Sequence, residues 1–155
     1  RYIREASPDF ILRTTVMLGF PGETEEQFEL LYDFLKNEPF DRVGAFVFCP
    51  EDGTKAALMD GQIDEATAKA RLDKIMRMQQ TVSLELNKKR IGKEYEVLIE
   101  RVDKDACYGR SYAEAPDVDG IIKIINIPAS VKPGDFVYAK ITDASAYDLK
   151  GEFVK

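Results

Sequence analysis

From Asp64 to Arg90 the chain runs without a proline or a glycine, and just after Gly92 its texture changes for good. Within that stretch Leu72, Ile75, Gln79, Val82 and Leu86 step alternately by three and four residues, the spacing of one helical face. The spacing predicts a single amphipathic helix of roughly 40 Å, with Gly92 just past its end. Met76 and Met78 suit core or groove packing there. Beyond Gly92 come five short alternating runs, 95–99, 108–112, 121–125, 136–141 and 147 onward, parted by turn residues such as Lys132-Pro133-Gly134-Asp135. Runs of this kind predict a small five-stranded β-barrel. The fold class is therefore α/β followed by all-β, with the domains expected at 1–90 and 91–155.

The first ninety residues carry the α/β pattern. Phe10 to Leu18 is a nearly continuous apolar and β-branched run, as expected of a strand covered on both faces. A turn follows at Gly19-Phe20-Pro21-Gly22. Thr24 and Gln27 then have capping-box spacing, and Phe28, Leu31, Tyr32 and Leu35 form a helical stripe that ends near Glu38-Pro39. A second strand, Val43–Phe48, completes a βαβ unit with a parallel pair. Two strands do not make a sheet, so this part is expected to belong to a larger α/β structure.

Charge and cysteine content narrow the function classes. The net charge is −6 and the sequence pI is about 4.8, which counts against a purely electrostatic nucleic-acid binder and suits a basic partner. No run approaches the roughly 18 apolar residues of a membrane span, and the start has no signal-peptide core, so a cytoplasmic protein is expected. Cys49 and Cys107 are the only cysteines and there is no histidine. No metal site is expected from these residues, and in a cytosolic protein the two thiols are expected to be free.

Ligands in α/β sheets gather at the carboxyl ends of strands, where a Gly-rich turn lets backbone approach a ligand and helix-start amides face an anion. The turn at Gly19–Gly22 has that position, although any tight βα turn wants glycines.

The full set of segments is more specific. Val16-Met17-Leu18-Gly19-Phe20-Pro21-Gly22-Glu23-Thr24, then Phe48-Cys49-Pro50-Glu51-Asp52-Gly53-Thr54-Lys55-Ala56-Ala57, then the long helix and the five-stranded module, resembles the carboxy-terminal part of the radical S-adenosylmethionine (SAM) methylthiotransferases. The resemblance implies the end of a radical-SAM (β/α) barrel followed by an OB-like TRAM barrel. Gly109 to Gly120 and Tyr147-Asp148-Leu149-Lys150-Gly151 are similar to the RimO-type branch, which methylthiolates an aspartate of a small-subunit ribosomal protein. The MiaB-type branch, which modifies tRNA, usually lacks the acidic segment, and a free-standing TRAM binding module is the third reading. Cys49 departs from the serine usual in the family.

The resemblance also implies cofactors. In such an enzyme SAM and two four-iron four-sulfur clusters generate a radical on the aspartate β-carbon and deliver the methylated sulfur. The cluster cysteines are expected upstream of residue 1, so this stretch is expected to be inactive alone and to hold neither cofactor by itself. Arg13 could pair with the methionine carboxylate of SAM or make an ion pair to a neighbouring strand or helix. Gly19, Phe20, Gly22 and Phe48 are the other candidate cofactor-binding residues, each with a packing or turn role as the alternative. Arg110, Tyr112, Glu114, Asp117 and Asp119 are the candidate substrate-binding cluster, facing a basic ribosomal protein. Residues 91–155 hold nine Lys or Arg against twelve Asp or Glu, which favours that partner over tRNA. RNA, and self-association through exposed sheet edges, remain the further partners.

Overall fold

The computed structural model describes residues 2–154 of the chain, which divides between Val82 and Ser83 into two compact units. In the first, a short helix α1 (Tyr2–Ala6) precedes strand β1 (Arg13–Leu18), helix α2 (Glu25–Asn37) and strand β2 (Arg42–Val47). The strands pair in parallel, from Arg13 opposite Arg42 to Leu18 opposite Val47. Asp41 sets their start, its carboxylate accepting from the Leu12 amide at 2.8 Å and from Arg4 at 2.7 Å. The reciprocal capping box of Thr24 and Gln27 opens α2, and the backbone amide of Glu38 closes it on the Phe34 carbonyl. A 3-10 turn (Ala56–Leu58) leads to helix α3 (Glu65–Lys88), whose first turn is capped by the Asp64 carboxylate on the Thr67 amide.

Helices α2 and α3 pack on one face of the strand pair. Leu18, Phe28, Leu35, Ile75 and Met78 form the core, with Val16, Val43 and Ala45 against it. The opposite face carries Arg13, Thr15 and Met17 from β1 and Gly44 and Phe46 from β2, all exposed. This corrects the expectation of a strand covered on both sides. Burial alternates along β1 because the described residues lay helices on one face only.

In the second unit β3 (Glu94–Val102), β4 (Cys107–Arg110), β5 (Ile122–Ile125), β6 (Phe136–Ala144) and β7 (Leu149–Phe153) close a barrel in the order β3-β4-β5-β7-β6. The β5–β7 pair is parallel and the others antiparallel, the arrangement of a five-stranded OB-like barrel. Alternate residues fill the interior: Val97, Ile99, Cys107, Ile122, Ile124, Val137, Ala139, Ile141 and Leu149. Gly109 is required by closure itself, since a Cβ there would lie 2.1 Å from the Leu98 carbonyl oxygen.

Beyond Gln79, which is on the face its spacing suggests, the buried line of α3 is polar and leaves out the expected Val82 and Leu86. Gln79, Ser83, Asn87 and, just past the helix, Arg90 are all buried, whereas Val82 and Leu86 are half-buried. Such polar groups stay inside only with partners. Gln79 donates to the Phe40 carbonyl, and the Asn87 amide donates to the carbonyls of Ser145 and Ala146.

Candidate functional site

The turn after β1 is built as a closed hydrogen-bonded unit. The Gly19 amide donates to the Glu23 carboxylate at 3.2 Å, the Gly22 amide to the Gly61 carbonyl at 2.9 Å, and the Glu23 amide to the Phe20 carbonyl at 2.9 Å. The Gln27 amide is taken by Thr24. These donors face acceptors of the chain itself, so the turn is not an open anion cradle. Its anchor is Arg71 of α3, buried, which reaches Glu23 at 2.6 Å and Glu25 at 2.9 Å. Gly19 has φ +74°, and a Cβ on it would meet the Ala68 Cβ at 2.7 Å. Gly19 is therefore the point where the turn presses on α3.

What the turn does present is aromatic. Phe20 and Phe48 meet edge to face with ring centroids 5.1 Å apart, at the carboxyl ends of β1 and β2. The Phe48 amide continues the strand pairing to the Leu18 carbonyl. Phe20 is 41% exposed, and Met17 and Phe46, opposite each other in the register, are 41% and 45% exposed on the open sheet face. Arg13 shares that face but opens β1, so the length of the strand, roughly 16 Å at ~3.3 Å per residue, parts it from this aromatic group. Phe20 and Phe48 come together; Arg13 does not join them.

In the barrel unit the five candidate substrate residues divide. Glu114 is only 5% exposed and never reaches the surface: it pairs with Arg90 at 2.6 Å and accepts from the Ser111 amide and hydroxyl. Burial pushes its carboxyl up, but the Arg90 charge and the Arg90 and Ser111 hydrogen bonds outweigh this and hold it below the usual range. Asp119 closes its own loop by accepting from the Ala115 amide at 2.7 Å. Arg110 donates to Glu100 at 2.7 Å. Tyr112 is exposed and rests against Tyr95, with centroids 6.2 Å apart. Asp117 is exposed at φ 60°. The sequence cluster is thus a folded loop with a buried acidic root and two outward residues, Tyr112 and Asp117.

The residues that organise these places, Arg71, Asn87 and Arg90, were not singled out from the sequence. A trace existed, for Arg71 falls on the apolar line of Ala68, Leu72 and Ile75 in α3, where a charge must find a partner.

Cys107 lies in the barrel core, its thiol pushed up by burial, and Cys49 is exposed; both are free. Among the described residues no group of three or more His, Cys, Asp or Glu is placed to hold a metal, and no helix is long and apolar enough to cross a membrane.

Residues 91–154 match the TRAM domain. Nearly the whole chain is similar to proteins named ribosomal protein uS12 methylthiotransferase RimO. It is 46% identical to that of Carboxydothermus hydrogenoformans over 98% of the chain and 35% of the relative. For Caldicellulosiruptor saccharolyticus the figures are 48%, 98% and 34%. For Escherichia fergusonii they are 43%, 97% and 34%. The chain thus spans about a third of the length of these relatives. Over that third it is similar throughout to the RimO-type methylthiotransferases, and residues 91–154 match the TRAM domain.

Proposed function

We propose that the chain is the carboxy-terminal part of an enzyme that attaches a methylthio group to the β-carbon of an aspartate in ribosomal protein uS12. In this reading residues 1–90 form one wall of the catalytic barrel and residues 91–155 dock the substrate protein. The observation that carries it is the end-to-end similarity to uS12 methylthiotransferases. The open face of β1 and β2 supports it, because a sheet face bearing Met17 and Phe46 is built to be covered. The net negative charge of the TRAM domain suits a basic ribosomal protein. A substrate of this kind places the work in the cytoplasm.

The donor set of the described residues does not fit an iron–sulfur cluster, with one thiol in the barrel core and one exposed. The aromatic group does fit the heterocycle of SAM, which supplies the radical chemistry when bound. Phe20 and Phe48 would bind its purine, and Met17 and Phe46 would exclude water from the same face. Without thiolates suitably placed, the chain alone is expected to take up no cluster on anaerobic reconstitution and to cleave no SAM.

A second reading, docking of tRNA, is favoured by one feature. Arg101 lies 4.0 Å and Lys123 6.0 Å from the Tyr108 ring centroid, a basic and aromatic strip across β3, β4 and β5. Two measurements decide between the readings: mass spectrometry of uS12 and tRNA after incubation with a whole enzyme containing this chain, and binding of the chain itself to each. A methylthio gain on uS12, with tighter binding of uS12, is expected; a gain on tRNA alone overturns the proposal.

A further inference from the structure

The outer surface of the barrel between β3 and β6 holds two aromatic rings that nothing in the described chain covers. Phe136 and Tyr138 are alternate residues of β6, so both point outward, and they are 65% and 44% exposed. Across the register Phe136 faces Leu98 and Tyr138 faces Glu96. One row further, Lys140 lies between Glu94 on β3 and Glu152 on β7. The apolar patch is extended by Val154, whose amide donates to the Tyr138 carbonyl.

Tyr95 on β3 and Tyr108 on β4 are treated differently. Arg90 lies over Tyr95 at 4.5 Å and Arg101 over Tyr108 at 4.0 Å. Among the described residues no cation lies over Phe136 or Tyr138, and Glu94, Glu96 and Glu152 make no ion pair. Uncovered ring faces beside unpaired carboxylates are complementary to one kind of side chain. A lysine or arginine can set its charge over the ring and on the carboxylate while its stem covers Leu98 and Val154. Nucleic acid is disfavoured here, since three carboxylates and one lysine repel phosphate.

We propose that this β3–β6 face is the docking surface for a lysine- or arginine-rich segment of a protein partner. The proposal rests on the reading of the barrel as a protein-docking module and moves the contact from the Glu114–Asp119 loop to a strand face. It is tested by measuring the affinity of the chain for purified ribosomal protein uS12 across a salt series. Phe136→Ala/Tyr138→Ala is expected to weaken binding about tenfold. Glu94→Gln/Glu96→Gln/Glu152→Gln is expected to flatten its salt dependence, with thermal melts of both variants unchanged. Lys123→Ala, beside Tyr108, is expected to change neither. If the parent chain binds uS12 and both face variants bind as tightly, the surface is wrong while the docking reading stands. If the parent chain binds tRNA and not uS12, the docking reading fails and the surface proposal with it. Loss of a self-association in the aromatic variant, with uS12 affinity intact, overturns the proposal in favour of a dimer contact.

Discussion

Arg90 and Glu114, 24 residues apart in the chain, meet at 2.6 Å with both side chains more than nine-tenths buried, and this ion pair roots the loop that precedes β5. A charge in such a place is tolerated only while its partner is present.

Glu114→Ala leaves Arg90 buried and uncompensated, and is expected to cost about 3–5 kcal/mol in a chemical denaturation series, against a smaller loss for Glu114→Gln. The pH dependence has a definite sign. The folded carboxyl titrates below its ordinary value, so its contribution is fully present above the unfolded pKa, about 4.3, and is lost as pH falls through the lowered folded value. Glu114→Gln should therefore be less sensitive to acid than the parent below that pH. Equal sensitivity would assign the acid response to other groups.

At Gly19 two costs combine, the positive φ and the contact with Ala68. Gly19→Ala is expected to destabilise the first unit by about 2–4 kcal/mol. Adding Ala68→Gly should return part of this, because the clash goes and the backbone strain stays. Strict additivity in the double-mutant cycle would show that the two residues do not touch.

Phe48 and Arg13 lie at opposite ends of the strand pair, and in the proposed reading the cofactor sits at the Phe20–Phe48 edge. In a whole enzyme containing this chain, Phe48→Ala is expected to weaken SAM about tenfold in equilibrium dialysis, and Arg13→Ala by less than twofold. A large effect of Arg13→Ala would restore its pairing with the cofactor carboxylate.

The two aspartates of the acidic loop should behave differently. Asp119→Ala removes the acceptor of the Ala115 amide, worth about 1 kcal/mol, and is expected to speed exchange of that amide several-fold. Asp117→Asn, outward and exposed, should leave the exchange unchanged and the melt within about 0.5 kcal/mol. Equal exchange in both variants would mean that Asp119 does not close the loop.

Much of the architecture was legible in residues close together in sequence. The capping box of Thr24 and Gln27 and the stripe from Phe28 to Leu35 each involve partners three or four residues apart, and both are found as read. The alternating runs after Gly92 gave the five strands and the glycines gave the βα turn, but the meeting of Phe20 with Phe48 was not read from them.

What local pattern could not supply was burial. Glu114 and Asp117 read alike as acidic loop residues, and only closure of the barrel, which brings Arg90 to one and solvent to the other, separates them. The same holds for Asn87 and Leu86: the polar neighbour is inside because the carbonyls of Ser145 and Ala146, almost sixty residues on, arrive at its amide. β1 read as covered on both faces because apolar character says that a residue can be buried and not whether anything lies against it. Sequence alone thus determined periodicity, caps and turns, which depend on neighbours a turn or a pleat away. The tertiary structure decided which charges are enclosed and which aromatic faces are left open, because those depend on contacts between segments that the chain brings together only on folding.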